Sequence, residues 1–564
     1  MQQLIECVPN FSEGRNLDII RQITDAIESV EGIRLLDVDP GKATNRTVVT
    51  FVGPPEQVCE AAYRAIVKAN ELIDMQQHKG EHPRFGAVDV CPLVPVAHIT
   101  MEETAAWARK LAQRVGETLQ YPIYLYESAA TSDDRRNLSK VRAGEYEGLP
   151  AKLADAHWKP DFGPAAFVPK TGATAIGARD FLIAVNFNLN TTSTRRANAV
   201  AFDVREAGRV LRKGDPVTGE IVLDENSEPI RIPGKLKACK AIGWFIEEYG
   251  VAQISMNITN IGITPLHKAF EAVEESARAR GMRVTGTELV GLVPLRMLTE
   301  AGKYFLEKQE RSVGVSEAEL IKIAVRSMGL DDLKQFEPEK KVIEYMLRTS
   351  GTNRLASMSL QAFAWETASE APAPGGGSIS AYVGTLGIAL GAMVANLSAH
   401  KRGWDDRWAY FSGFAEEAQH LTSTMLHLVD EDTRAFDAIM QAFALPKETA
   451  EEREIRKRNI QAATKYATEV PLSLMRTASK AYPLLLAMAK HGNPNSVSDA
   501  GVGALCITTA IGGALLNVQI NAGGYHDKAW VESTLSEAEH LYTEAKKYQQ
   551  EIWDQVQQVM RSTD

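Results

Sequence analysis

The run His78-Lys79-Gly80-Glu81-His82-Pro83-Arg84-Phe85-Gly86 packs titratable side chains between Gly and Pro and leads into the mostly apolar stretch 87–90. Such a run reads as a rigid loop that delivers side chains from the start of a strand. An imidazole titrates near neutral pH, so a His here could take a proton from an attacking amine and return it to a departing one. A solvated loop would have the same composition. The sequence Asp37-Val38-Asp39-Pro40 reads as a turn after a strand, where Asp39 could hold an imidazolium or an amine in place. An Asp before a Pro is also ordinary turn chemistry.

Further along, Gly163-Pro164-Ala165-Ala166-Phe167-Val168-Pro169-Lys170-Thr171-Gly172 combines turn formers with one aromatic and one ammonium group. That combination suits a wall for a flat heterocycle, and it also suits a plain linker. The later run Pro372-Ala373-Pro374-Gly375-Gly376-Gly377-Ser378 would start a helix with exposed amides, and it lacks the Gly-Lys-Ser/Thr ending of a phosphate-binding loop. Asp430 and Asp432 interrupt a helical pattern whose apolar stripe is Leu421, Met425, Leu428, Val429, Ala435, Phe436, Ile439 and Phe443. Helical spacing puts Asp432 where that stripe continues and Asp430 on a neighbouring face. A carboxyl on such a stripe has its pKa raised by burial, towards that of a useful proton donor, whereas a surface pair beside Glu431 and Arg434 would keep ordinary values. Asn517 and Asn521 sit one turn apart in an apolar run, where buried amides need partners.

Alternating strand-like and amphipathic runs must position these groups in the first half. Strands are predicted at 5–8, 34–38, 47–52 and 87–96, and helices at 17–30 and 54–73, in the order β-α-β-β-α-β. A similar order recurs with strands at 181–186, 241–246 and 252–258, helices at 193–208 and 265–280, and an extended run from 283, which suggests a duplicated ferredoxin-like unit. Residues 213–235 read as a surface hairpin or loop. After about residue 300 the pattern turns helical, with long segments at 410–443, 449–490, 500–520 and 531–560. The fold class is therefore multidomain: two ferredoxin-like α/β subdomains (1–180 and 181–330), a linker (331–359) and an all-α helical bundle (360–564).

The chain has 564 residues, enough for several domains, and its 45% hydrophobic content supplies several cores. A net charge of -10 is the opposite of a nucleic-acid footprint, so any anionic ligand must be met by local Lys and Arg. Five cysteines without CxxC spacing argue against a disulfide framework or a zinc site; no metal is expected, and a reducing, cytoplasmic location is. Cys91, beside Pro92, reads as a buried structural thiol. Residues 371–399 and 500–525 contain no Asp, Glu, Lys, Arg or His. Their Gly, Ala, Ser, Thr and Asn content fits helices packed in a bundle or subunit interface better than membrane spans.

Glu6-Cys7-Val8-Pro9-Asn10-Phe11-Ser12-Glu13-Gly14, Leu35-Leu36-Asp37-Val38-Asp39, Asn45-Arg46-Thr47-Val48, the loop 78–86 and Gly291-Leu292-Val293-Pro294-Leu295 closely resemble the formiminotransferase-cyclodeaminase family. So do Ala373-Pro374-Gly375-Gly376-Gly377-Ser378, Leu428-Val429-Asp430, Leu445-Pro446-Lys447, Asn517-Val518 and Ile520-Asn521. This resemblance implies a bifunctional enzyme of histidine degradation. The formimino group of N-formimino-L-glutamate would pass to N5 of tetrahydrofolate, and the 5-formimino product would cyclise to 5,10-methenyltetrahydrofolate with loss of ammonia. It implies His82 as the transferase catalytic group, with Asp39 orienting it and His78 as the lesser candidate, and Asp430 as the cyclodeaminase acid, where the stripe points to Asp432. Folate contacts are implied at 163–172 and at Pro233-Gly234-Lys235, the latter beside an expansion at 210–232. A homo-oligomer built from dimers and polyglutamated tetrahydrofolate, channelled between sites, complete the expectation. The rival readings are a folate-binding scaffold without activity and an enzyme taking a formyl donor.

Overall fold

Leu4–Cys7 and Arg46–Gly53 are central strands with no exposed residue, and the period-two geometry of a strand points Ile5, Cys7, Val49 and Phe51 to one side of the first sheet. There they meet Ile23 and Ile27 of the helix Leu17–Glu28 and Val58, Ala62 and Ile66 of the helix Pro55–Leu72. The first helix starts where Asn16 accepts the N–H groups of Asp18 and Ile19, and the second has Pro in its first turn, where a missing N–H costs nothing. The computed structural model describes residues 3–42, 44–80, 84–214, 218–347 and 355–563.

Within the first sheet the strands run Arg34–Gly41, Arg46–Gly53, the pair Leu4–Cys7 and Asn10–Phe11, then Val88–Ala97, all antiparallel. Thr174–Ala178 and Ile123–Glu127 extend it in parallel. The second sheet orders Cys239–Ile246, Val251–Ile258, Ile183–Leu189 and Val284–Val290, again antiparallel. Counted along the chain, both sheets have the spatial order second, third, first, fourth, so the repeated ferredoxin-like unit read from the sequence is present twice. The segment 209–232 forms two short ladders, Arg209–Val210 with Arg231–Ile232 and Arg212–Lys213 with Glu220–Ile221.

Asp37 to Pro40 do not form the expected turn. They lie inside the strand Arg34–Gly41, whose only ladder partner among the described residues is Arg46–Gly53. Pro40 is tolerated because an edge strand has one side on which no N–H is required.

The chain divides into two compact units, Met1–Met297 with Met328–Leu347 and Leu298–Ser327 with Arg348–Asp564. Residues 298–327 thus pack with the helices rather than with the second α/β subdomain. Val313 donates its N–H to Ser412 Oγ (3.0 Å), and Asn396 donates to the Gly314 carbonyl (2.8 Å). The second unit is built on the helices Gly376–Ala399, Trp408–Ala444, Ala450–Ser479, Ala481–His491, Val497–Ala522 and Lys528–Thr563. The single segment expected at 449–490 is two helices that change over at Lys480.

Gly376–Ala399 and Val497–Ala522 are the charge-poor helices, and by length and composition they could cross a membrane. In this unit they lie against each other so closely that a methyl on Gly387 would stand 2.8 Å from the Gly503 carbonyl. Small residues along both helices permit that approach. Met425 and Val429 of Trp408–Ala444 and Ile507 and Ile511 of Val497–Ala522 are fully buried in the same core.

Candidate active sites

The loop 78–86 is pinned at both ends. On the upstream side, Asn45 occupies a left-handed conformation (φ 48°), which Asn tolerates better than most residues. From there its Oδ1 accepts the Gly14 N–H (3.0 Å) and its Nδ2 donates to the Lys79 carbonyl (3.1 Å), while its own carbonyl accepts from His78 Nε2 at 2.8 Å. His78 is buried, burial lowers its pKa, and with Nε2 donating, its Nδ1 meets no hydrogen-bond partner among the described residues.

On the downstream side, the Arg84 carbonyl accepts the Tyr146 N–H (2.8 Å), the Ala173 N–H reaches the Phe85 carbonyl (3.1 Å), and Ser12 Oγ donates to the Gly86 carbonyl (2.7 Å). A side chain at Gly86 would overlap the Ala173 carbonyl. His82, with Glu81 and Pro83, lies outside the described residues.

The segment 163–172 folds against this downstream end. Ala87 donates its N–H to the Thr171 carbonyl (2.8 Å), and Gly86 bridges Gly172. Phe167 packs on Tyr146 with ring centroids 5.4 Å apart, and Tyr146 Oη donates to the Pro169 carbonyl at 2.6 Å. The Lys170 ammonium meets the Glu71 carbonyl (2.9 Å) rather than a carboxylate. The structure therefore brings the histidine loop and the first expected folate segment together.

Asp39 stands exposed on the edge strand that enters the turn containing Asn45, and its carboxylate has no hydrogen-bond or ion-pair partner among the described residues. Burial, then the nearby Asp39 charge, raise the Asp37 carboxyl above its usual range. Pro233-Gly234-Lys235 belongs to the second subdomain, where Lys235 pairs with Glu275 (2.8 Å), and no hydrogen bond or ion pair joins it to 163–172.

Sequence reasoning passed over three residues beside the loop. Asp89, on the strand into which the loop runs, is buried between Arg142 (2.9 Å) and Arg46 (3.5 Å). Burial raises its carboxyl, and the two guanidinium groups pull it back. Two guanidinium groups thus meet one carboxylate beside the loop.

In the helical unit the two aspartates diverge, because positions two apart on a helix point about 200° away from each other. Asp430 is buried and binds backbone: Oδ1 accepts the Leu355 N–H (2.8 Å) and Oδ2 the Ala356 N–H (3.4 Å). Asp432 instead lines a cavity of about 130 Å³ with Gly375, Gly376, Phe436, Asn517 and Asn521. Its Oδ2 accepts the Ser378 N–H at 2.8 Å and lies 3.0 Å from Ser378 Oγ, and burial raises its carboxyl above the ordinary range against those two hydrogen bonds. A side chain at Gly377 would overlap the Asp432 carboxylate, which is the physical reason for a glycine there. Asn517 and Asn521 donate their Nδ2 groups to the Gly513 (2.8 Å) and Ala467 (2.7 Å) carbonyls and keep their own oxygens as acceptors. The stripe thus pointed to the aspartate that lines the cavity, whereas Asp430, the residue implied by resemblance, binds the Leu355 and Ala356 amides.

Family models match the chain in three consecutive pieces: the N-terminal subdomain of the formiminotransferase domain over residues 4–179, the formiminotransferase domain over 184–348, and formiminotransferase-cyclodeaminase over 359–540. The formimidoyltransferase-cyclodeaminase of Mus musculus is 42% identical over 547 residues, covering 97% of both chains. The chain belongs to the formiminotransferase-cyclodeaminase family. Its two halves also have separate relatives. A glutamate formimidoyltransferase of Streptococcus pyogenes is 38% identical and covers 55% of this chain and 95% of its own. A methenyltetrahydrofolate cyclohydrolase of Methylorubrum extorquens is 38% identical over 198 residues, 35% of this chain and 95% of its own. Each candidate site of this formiminotransferase-cyclodeaminase family member lies in a half that has its own single-function relatives.

Proposed function

We propose that the chain is a bifunctional folate enzyme: a glutamate formimidoyltransferase joined to a formimidoyltetrahydrofolate cyclodeaminase. Similarity to bifunctional relatives along 97% of the chain carries this reading. In the first step N5 of tetrahydrofolate attacks the formimino carbon of N-formimino-L-glutamate, and a C–N bond forms. His82 takes the N5 proton and returns it to the glutamate nitrogen as the old C–N bond breaks. Asn45, by fixing Lys79 and His78, sets where the loop can place that imidazole, and Asp39 is the carboxylate that orients it. Residues 163–172, with Pro233-Gly234-Lys235, contact the folate.

In the second step N10 attacks the same carbon and gives a tetrahedral adduct carrying an amino group. Asp432, whose carboxyl pKa burial raises, donates a proton to that nitrogen, and ammonia leaves as the N5=C–N10 bridge forms. A cavity of about 130 Å³ admits the reacting end of the ligand rather than a whole folate. The protein acts in the cytoplasm in histidine degradation, as a homo-oligomer built from dimers, on polyglutamated tetrahydrofolate.

Purified protein given tetrahydrofolate and N-formimino-L-glutamate is expected to release methenyltetrahydrofolate and ammonia in equal amounts. Folate binding without either product would replace this reading with a scaffold, and turnover of a formyl donor alone would change the substrate. Transfer of the intermediate between the sites is expected to shorten the transient time below that of two unlinked enzymes, and a transient equal to theirs would exclude it.

A further inference from the structure

A second recess, which shares no residue with the histidine loop or the Asp432 cavity and adjoins the expected folate segment 233–235, opens on the second α/β subdomain with a volume of about 610 Å³. Arg195, Arg196 and Arg205 reach it from the helix Thr194–Val204 and its end. Arg209, Arg212 and Arg231 come from the hairpin 209–232, and Arg280 follows the helix Leu266–Arg278. Among the described residues no carboxylate lines the recess. Asp203, just outside, pairs with both Arg209 and Arg280.

The remaining guanidinium groups have no carboxylate partner among the described residues. Arg205 donates to the Gly208 carbonyl (2.9 Å) and lies over the Phe202 ring (4.2 Å), and Arg212 donates to the Gly219 carbonyl (2.7 Å). Arg195 and Arg231 have no hydrogen-bond or ion-pair partner among the described residues. Burial and the Arg231 charge both lower the Arg205 pKa, so these cations repel one another.

The acceptor oxygens of the other polar side chains of the recess each already take a backbone N–H. Asn198 Oδ1 takes the Gly243 N–H (2.9 Å), and Ser193 Oγ takes the Arg196 N–H (3.3 Å). The side-chain wall therefore offers donors and positive charge. An acceptor-only ligand of high charge density matches it, because phosphate oxygens take the forked guanidinium bonds and bring no N–H that would go unpaired. We propose that this recess is a binding site for a compact polyphosphate anion, either the phosphate chain of a nucleotide or an inorganic oligophosphate. A peptide-like acidic tail fits less well, since its amide N–H groups need acceptors, although the adjoining recess with Pro233 and Lys235 shares Phe202, Arg209 and Arg280.

Titration calorimetry of the full-length protein with inorganic triphosphate, ATP and penta-γ-glutamate tests this. Triphosphate is expected to bind at one site per chain, with Arg195→Ala and Arg231→Ala each weakening it about tenfold and leaving the melting temperature unchanged. ATP binding as tightly as triphosphate would make the phosphate chain the whole determinant, and tighter ATP binding would identify a nucleotide as the source. Absence of saturable triphosphate binding, or affinity unchanged in the Arg195→Ala/Arg231→Ala double variant, would overturn the proposal. So would penta-γ-glutamate binding more tightly than triphosphate through the same arginines.

Discussion

Ser378 approaches one oxygen of Asp432 twice, through its N–H at 2.8 Å and its hydroxyl at 3.0 Å, while that hydroxyl also lies 2.9 Å from the Val429 carbonyl. One hydroxyl proton cannot serve both oxygens. If Asp432 carries a proton, the carboxyl donates to Ser378 Oγ and the hydroxyl donates to Val429, and every contact is satisfied. Burial favours the same protonation state.

Asp432→Asn keeps the size and loses the acid. Cyclisation is expected to fall by about 10² to 10⁴-fold with the transferase step intact, as measured by stopped-flow formation of methenyltetrahydrofolate. In the wild type the cyclisation rate is expected to fall as pH rises through the raised Asp432 pKa, and that alkaline limb is expected to be absent from the Asn variant.

Gly377 and Gly375 make a matched pair. A methyl at Gly377 overlaps Asp432, and one at Gly375 meets nothing within 4 Å. Gly377→Ala is expected to cost about 1 to 3 kcal/mol of stability and most of the cyclodeaminase rate. Gly375→Ala is expected to leave both near wild type, and equal losses in the two variants would remove the close-approach explanation.

Asp430 binds two backbone amides and does not face the cavity, so Asp430→Ala is expected to act on stability. The buried Leu355 N–H loses its acceptor, at about 1 to 3 kcal/mol, and the half-buried Ala356 N–H loses a weaker one. Urea unfolding should show that loss, and residual cyclisation per folded molecule should exceed that of Asp432→Asn.

Asn45→Ala removes the ties to Gly14 and Lys79 and leaves the helical unit alone. The transferase rate is expected to drop at least tenfold while cyclisation of added 5-formiminotetrahydrofolate is unchanged. A variant with full transferase activity would show that the loop is placed by other contacts.

Glu6 is fully buried, and burial pushes its carboxyl up to about 7, with Arg179 opposing. The folded chain therefore holds a proton between about pH 4.5 and 7 that the unfolded chain gives up. This contribution is complete below pH 4.5 and is lost as pH rises to about 7, a change on the order of 3 kcal/mol. Glu6→Gln is expected to gain melting temperature relative to wild type as pH goes from 4.5 to 8. Parallel curves for the two proteins would show that Glu6 does not titrate there.

Periodicity made the two α/β repeats and the long helices legible, because each buries one face and the spacing of apolar residues records it. The Asp37–Pro40 turn misread a Pro that an edge strand accepts, and edge position is a property of the whole sheet. Asp432 was visible because the stripe gives direction, whereas the amides that Asp430 binds come from residues 355 and 356, 75 positions away in the first case. Asn45, Asp89 and Tyr146 support the histidine loop from distant strands and turns, and no local pattern ties them to it. The seven arginines of the second recess are spread from 195 to 280 and meet only when the hairpin folds beside the helix.

The most direct test of a two-site enzyme is a product assay on wild type, His82→Ala, Asp432→Asn and Asp430→Asn, supplied with tetrahydrofolate and N-formimino-L-glutamate. The expected result is both products from wild type, neither from His82→Ala, accumulation of 5-formiminotetrahydrofolate with Asp432→Asn, and continued ammonia release with Asp430→Asn. Full ammonia release from Asp432→Asn, or a wild type that binds folate and makes neither product, would contradict it.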